Sequence, residues 1–125
     1  MNILLLSNDL MVSSRVDGAA LRAGISAKTV PTIEALAAAC REGPVASVIV
    51  DLSTPSIDVR VLVEQLSAMG AARPRIVAFG PHVHESLLAA ARLAGCDDVI
   101  SRGQFFAQLD AIVQRSANQS LLGGA

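Results

Sequence analysis

Short apolar runs alternate with amphipathic segments along the whole chain. The runs lack polar alternation, which is typical of strands covered on both faces, and five of them are predicted as strands. The segments between them repeat apolar residues at a spacing close to 3.6, which predicts helices. The predicted strands are residues 3–6, 26–30, 47–52, 75–79 and 98–101.

Five helices are predicted, one after each strand. Asn8 or Asp9 is expected to cap the first of them. Their apolar stripes begin at Leu10, Ile33, Val59, Val83 and Phe105. A strand–helix unit repeated with short loops predicts a parallel sheet with helices on both faces, because such crossovers are right-handed. We expect one domain over residues 1–117 and a frayed tail over 118–125.

The composition narrows the function classes. The 125 residues are 52% hydrophobic but only 2% aromatic, so the core must be built from Leu, Val, Ile and Ala. A net charge of −1, with a single lysine and scattered arginines, argues against a nucleic-acid partner. No apolar run has the length of a membrane span and no signal peptide begins the chain, which predicts a cytoplasmic protein. Cys40 and Cys96 are expected to be free thiols.

A single carboxylate, Asp51, closes the most apolar strand and is followed by a turn cluster. This places it at the carboxyl end of a central strand, where open α/β sheets bind their ligands. His82 and His84 follow the fourth strand on the same rim. A small-molecule or metal site built from these three residues is therefore one alternative, although the spacing of the two histidines does not aim both rings at one point. Glycine-rich phosphate loops are absent, which disfavours an unrelated flavodoxin-like enzyme.

Two segments resemble the response-regulator receiver domain, the CheY-like family. One is Val-Ile-Val-Asp-Leu at residues 48–52, with Pro55 where the family also has a proline. The other is Gly-Cys-Asp-Asp-Val-Ile-Ser-Arg at residues 95–102, which is similar to the family's Gly-Ala-Asp-Asp-Tyr-Leu-x-Lys-Pro. The likeness covers about residues 2–116. It implies a flavodoxin-like three-layer sandwich, with a five-stranded parallel sheet of order 2-1-3-4-5 flanked by five helices.

The resemblance implies that Asp51 occupies the phosphoacceptor position, but the other functional positions are substituted. These are the two acidic positions that hold Mg²⁺, the hydroxyl position after the fourth strand, the aromatic switch position and the family lysine, which here are Ser7, Asn8, Gly80, Val99 and Arg102. Mg²⁺ prefers carboxylate and other hard oxygen ligands, so the loss of both acids predicts no metal and no cofactor. Arg102 is expected to pair with Asp51 in a bidentate fork.

These observations predict a stand-alone pseudo-receiver that signals through protein–protein contacts, without enzymatic activity and without Mg²⁺-dependent phosphotransfer. The expected partner is a signalling protein, such as a histidine kinase or an output protein. A homodimer through helix 4, strand 5 and helix 5 is also expected, with His84, Leu88 and Leu93 at the partner surface. The alternative is a single-domain response regulator that is phosphorylated on Asp51, with Arg102 in place of the lysine and Mg²⁺ as its cofactor.

Overall fold

The computed structural model describes the backbone of residues 2–123 and the side chains of residues 2–119. Its strands are β1 (Ile3–Leu6), β2 (Ala27–Val30), β3 (Ser47–Asp51), β4 (Arg75–Gly80) and β5 (Asp98–Ser101). All pair in parallel in one sheet of order β2-β1-β3-β4-β5. The predicted strands and their order are confirmed, and β3 lies at the centre of the sheet.

Over residues 2–123, six helices cover the sheet, one more than predicted. They are α1 (Leu10–Ala23), α2 (Ile33–Glu42), α3 (Val59–Ser67), α4 (Glu85–Ala94), α5 (Arg102–Ala107) and α6 (Leu109–Gly123). A short 3-10 turn (Gly70–Ala72) follows α3. Among the described residues, no helix is both long and apolar enough to cross a membrane.

The predicted fifth helix is divided in two at Gln108, whose backbone leaves the helical region at φ −105° and ψ 7°. Phe105 before the break and Leu109 after it are both buried. The helical region also begins earlier than expected, because Ser101 and Gln104 form a capping box that starts α5 at Arg102.

The last helix extends into the segment from residue 118 that the sequence predicts as a frayed tail. The α6 backbone continues to Gly123, while residues 124–125 lie outside the described residues. Ser116 and Ala117 are buried in this helix. The hydroxyl oxygen of Ser116 lies 2.8 Å from that of Ser47, which ties α6 to the start of the central strand.

The side chains of the central strands alternate between two cores, as a parallel sheet covered on both faces requires. One core joins the sheet to α2, α3 and α4, and the other joins it to α1, α5 and α6. In the second core the rings of Phe79 and Phe105 stack with their centroids 4.0 Å apart. Phe106 is tilted against both rings, so all three aromatic residues of the chain are clustered near the carboxyl end of β4.

The predicted orientation of α4 was partly wrong. Leu88, which we expected at the surface, is 3% exposed, whereas the adjacent Leu87 is 38% exposed. Leu93 is at the surface as predicted, with 89% of its area exposed. The reason is the sequence of the helix: alanines on nearly every side permit several inward stripes, and the one through Leu88 and Ala91 packs on the sheet.

The Asp-Asp pair of the second receiver-like segment stabilises the edge of the sheet opposite Asp51. Asp97 Oδ2 accepts hydrogen bonds from the Ile76 backbone N–H at 2.7 Å and from Arg73 Nη1 at 2.9 Å. Desolvation alone would raise the pKa of Asp97, but these donors outweigh it and hold that pKa below its ordinary value. Asp98 forms ion pairs with Arg75 and Arg115. Both acids therefore act in the fold, far from the candidate site.

Thr54, just after β3, has a buried hydroxyl group that makes no hydrogen bond among the described residues. The residue is 6% exposed, and its Oγ1 is the single buried side-chain polar atom that lacks a hydrogen-bond partner among the described residues. We expect Thr54→Val to raise the free energy of unfolding by about 1 kcal/mol, because it replaces an unpaired hydroxyl with a methyl group of similar size. Urea unfolding measures the change. An unaltered m-value, the slope of the unfolding free energy against urea concentration, would show that the variant exposes the same surface on unfolding as the parent.

Thr54→Ser is the matched control for this prediction. It keeps the hydroxyl and removes the methyl group, so it should be less stable than the parent protein. A Thr54→Val variant that loses stability would show that the hydroxyl has a partner, such as a bound water molecule.

Candidate functional site

Asp51 ends the central strand at its carboxyl edge, as predicted, and its carboxylate is held on both sides. The residue is 2% exposed. The Ser7 hydroxyl donates to Oδ2 at 2.8 Å, and the Ser53 backbone N–H donates to Oδ1 at 3.0 Å. The backbone carbonyl of Asp51 accepts from the Thr54 N–H at 3.0 Å, so the loop after β3 turns tightly around it. A buried carboxylate without such donors would be strongly destabilising.

The first predicted acidic position, Ser7, is part of this arrangement. It follows β1 directly and is 3% exposed. Besides donating to Asp51, its hydroxyl oxygen accepts a hydrogen bond from the Asp9 backbone N–H at 3.1 Å. One hydroxyl therefore joins the loop after β1 to the end of β3. Asn8, at the second acidic position, is exposed and lines the same pocket as Asp51.

Arg102 does not pair with Asp51, so the predicted bidentate fork was wrong. Its Nη2 lies 3.1 Å from Asp9 Oδ2, and its guanidinium carbon is 5.3 Å from the centre of the Phe106 ring. The physical reason is that Ser7 and Ser53 already satisfy the Asp51 carboxylate, whereas the partly exposed carboxylate of Asp9 is open to a cation.

Asp9 has two roles in this part of the site. Its Oδ1 caps α1, accepting from the backbone N–H groups of Met11 and Val12 at 2.9 and 3.4 Å, which confirms that the cap is one of the two predicted residues. Its Oδ2 binds Arg102. The Arg102 hydrogen bond is the main reason why the pKa of Asp9 lies below its ordinary value; the capping bonds add to this effect, and desolvation opposes it.

The hydroxyl and aromatic positions of the receiver pattern are surrounded by aliphatic side chains. Gly80 is buried at the end of β4, and a Cβ atom placed there would lie 3.4 Å from Leu52 Cβ and 3.6 Å from Leu88 Cδ2. Val99 on β5 packs against the same core as Leu52 and Leu88. No polar group of these side chains connects Asp51 with α4.

An open pocket of about 340 Å³ lies beside Asp51. Its lining consists of the loops after β1 and β3: Asn8, Asp9, Asp51, Ser53, Thr54 and Pro55. Neither His82 nor His84 lines it, and both are exposed. His84 is the residue before α4, but its side chain makes no capping hydrogen bond. Within the described part of the chain, no three His, Cys, Asp or Glu side chains are grouped closely enough to hold a metal ion.

Sequence reasoning missed three features of the site. The first is the hydrogen bond from Ser7 to Asp51, which is possible because a hydroxyl directly after a central strand can reach the neighbouring strand in the sheet. The pairing of Asp9 with Arg102 carried no local signal, because 93 positions separate them. The third is the half-buried ring of Phe106, which lies close to two cations: the guanidinium carbon of Arg15 is 4.5 Å from its centre and that of Arg102 is 5.3 Å from it.

Solved structures match this chain, whereas no protein-family model and no curated protein does. The receiver domain of the sensor histidine kinase PA1611 from Pseudomonas aeruginosa, solved with a magnesium ion in its active-site cleft, is 18% identical with a TM-score of 0.75, over 90% of this chain and 93% of that chain. The receiver domain of the Francisella response regulator 1452 is 13% identical with a TM-score of 0.74, over 94% and 97%.

A third match comes from a complex. The receiver domain of the response regulator Ssk1 from Saccharomyces cerevisiae, solved with the histidine phosphotransfer protein Ypd1, is 17% identical with a TM-score of 0.68, over 80% of this chain and 77% of that chain. At these identities the likeness concerns the fold. It agrees with the strand order, and the chain therefore has the flavodoxin-like fold of CheY-like receiver domains.

Proposed function

We propose that this chain is a pseudo-receiver that acts in signal transduction through protein–protein contacts, without Mg²⁺-dependent phosphotransfer to Asp51 and without enzymatic activity. The observation that carries the proposal is the state of the Asp51 carboxylate. It is 2% exposed, and each of its oxygens already accepts a hydrogen bond, from Ser7 and from the Ser53 N–H. Although Asp51 lines an open pocket, phosphoryl transfer to its carboxylate would require one of these hydrogen bonds to be broken.

The residues around Asp51 fit Mg²⁺ poorly. The two positions that would supply acids hold a hydroxyl and an amide, Ser7 and Asn8. Moreover, the Ser7 hydroxyl donates to Asp51 and accepts from the Asp9 N–H, which leaves only one neutral lone pair on its oxygen for a metal. Asp9, the carboxylate that follows these two positions and lines the same pocket, already caps α1 and pairs with Arg102. A dication would have to displace several hydrogen bonds and would gain only one free carboxylate.

A phosphoryl group on Asp51 would also lack a cation and a sensor. Arg102, at the family lysine position, is engaged by Asp9 and lies over Phe106. Gly80 has no hydroxyl, and the space beside it contains carbon atoms of Leu52 and Leu88. A group that carries nearly two negative charges would therefore be poorly neutralised, and no polar side chain would transmit its presence to α4.

The signalling part of the proposal rests on the fold. The Ssk1 receiver was solved in a complex with a phosphotransfer protein, so a receiver fold can serve as a docking unit for another signalling protein. We propose a partner of this kind for the present chain, a histidine kinase, a phosphotransfer protein or an output protein. The alternative, a response regulator phosphorylated on Asp51, makes the opposite prediction for metal binding and is tested in the same experiment.

Incubation with acetyl phosphate and Mg²⁺ should give no increase in intact mass by one phosphoryl group. A receiver that accepts phosphoryl groups under these conditions serves as the positive control. A mass increase that disappears in Asp51→Asn would establish the phosphorylated alternative and overturn the pseudo-receiver.

The loss of the acidic pair can be tested by restoring it. We expect the melting temperature of the parent protein to be insensitive to millimolar Mg²⁺ at constant ionic strength. The double variant Ser7→Asp/Asn8→Asp should be less stable without metal, because three carboxylates then repel one another, and it should be stabilised by several degrees on addition of Mg²⁺. The variant Asp51→Asn in the same background should weaken that response. A parent protein that is itself stabilised by Mg²⁺ through Asp51 would contradict the proposal.

The pairing of Arg102 with Asp9 predicts a specific titration. Arg102→Ala should raise the pKa of Asp9 toward the ordinary value of 3.8, because the guanidinium hydrogen bond is the largest cause of its lowering. The stability that this pair contributes is present above pH 3.8 and is lost as the pH falls through the lower pKa of the folded state. Carboxyl NMR titration of Asp9 measures the shift directly.

Arg15→Ala is the matched control, since Arg15 also lies over Phe106 but forms no ion pair with Asp9 among the described residues. It should leave the Asp9 titration unchanged. An unchanged Asp9 titration in Arg102→Ala would show that Arg102 has another partner in solution, Asp51 included.

A further inference from the structure

An apolar groove separates α3 from α4 on the side of the sheet that also carries α2. It has a volume of about 440 Å³, and its lining is Asp58, Val59, Arg60, Glu64, Ala90, Leu93 and Ala94. The small side chains of α4 leave the groove open between the two helices. Leu93 stands at its edge with 89% of its area exposed, the largest exposure among the large hydrophobic side chains of the described chain.

The groove therefore combines a projecting apolar side chain with an adjacent apolar recess. A surface of this kind is complementary to a copy of itself, because the projection of one molecule can enter the recess of the other. In a contact with two-fold symmetry each molecule inserts its projection into the other, so the contact buries the same apolar area twice.

The charges that flank the groove have the same self-complementary character. Arg60 and Glu64 are exposed on α3, one helical turn apart, and neither forms an ion pair within the described side chains. A two-fold axis that runs antiparallel copies of α3 past each other brings each arginine near the glutamate of the other copy. The net charge of −1 opposes such an association only weakly.

We propose that the groove between α3 and α4 is the docking site for a second copy of this chain. Leu93 of each copy inserts into the groove of the other, and Arg60 of each copy pairs with Glu64 of the other. The contact is independent of the chemistry at Asp51, so it can hold whether or not Asp51 is ever phosphorylated.

This surface differs from the helix 4, strand 5 and helix 5 face that the sequence predicted for a dimer. Leu88, which was expected to contribute to that face, is buried in the core. A different face of α4 from the one bearing Leu93 carries the Glu85–Arg92 ion pair, whose atoms lie 2.9 Å apart. The exposed apolar area of α4 is instead concentrated beside α3.

Sedimentation equilibrium over a range of protein concentrations tests the proposal. The parent protein should show a reversible monomer–dimer equilibrium. Leu93→Ser should raise the dimer dissociation constant about tenfold or more, because it removes the apolar side chain that fills the groove. Leu21→Ser is the matched control: Leu21 is 81% exposed on α1, on the opposite side of the sheet, so its variant should dimerise like the parent.

A parent protein that stays monomeric at the highest concentration would overturn the proposal. A dimer that Leu93→Ser leaves intact would overturn it as well, since the contact would then lie elsewhere.

Charge reversal gives a second test, which distinguishes charge repulsion from misfolding as the cause of weaker association. Arg60→Glu and Glu64→Arg should each weaken self-association, because each places like charges opposite one another across the axis. Mixing the two variants should restore a dimer, now containing one copy of each, because every cross-axis pair is then of opposite sign. Circular dichroism verifies that both variants are folded. If the mixture fails to associate while the parent dimerises, the proposed pairing of Arg60 with Glu64 of the other copy is contradicted.

Discussion

The carboxyl edge of the sheet is organised by the need to satisfy a carboxylate that is almost completely buried. Asp51 ends a strand whose residues are all buried, so its charge can be compensated only by the loops that follow β1 and β3. The Ser7 hydroxyl and the Ser53 N–H provide that compensation at 2.8 and 3.0 Å. The two loops are held together through Asp51, and their conformation follows from this constraint. Loss of either donor would leave a buried charge partly unpaired, which is costly.

This constraint also determines where the other charges of the site can lie. Since Asp51 is already satisfied, Arg102 gains more from Asp9, which keeps a free oxygen after capping α1. The guanidinium groups of Arg102 and Arg15 both lie beside the ring of Phe106, which gives both cations an aromatic neighbour. An acid at position 7 would reverse the arrangement, because two adjacent carboxylates require a cation between them. In the present arrangement the Asp51 carboxylate is compensated by hydrogen bonds from a neutral hydroxyl and a backbone N–H.

The sequence predicts the architecture well because the relevant signals are local. Uninterrupted apolar runs mark β1, β3 and β4, and the strand order and the location of Asp51 follow from the receiver-like segments and the alternation of strands with helices.

The predictions fail where local signals are ambiguous or absent. The alanines of α4 allow several inward faces, so the burial of Leu88 is decided by packing against the sheet. The partner of Arg102 is decided by which carboxylate remains free, and that depends on a hydrogen bond between Ser7 and Asp51, 44 positions apart. The start of α5 was predictable in principle, because Ser101 and Gln104 have the spacing of a capping box.

Exposed leucines alone do not identify a contact surface, since isolated apolar side chains are common on proteins. Leu10 and Leu21 on α1 are exposed to a similar degree as Leu93. What distinguishes Leu93 is its surroundings: a groove lined by Ala90 and Ala94, and two opposite charges on α3 that find no partner within the described chain. A leucine at that position adds nothing to the core, which α4 completes through Leu88 and Ala91. Under the proposed pseudo-receiver function, a surface of this kind would carry the signal, because each oxygen of Asp51 is already engaged in a hydrogen bond.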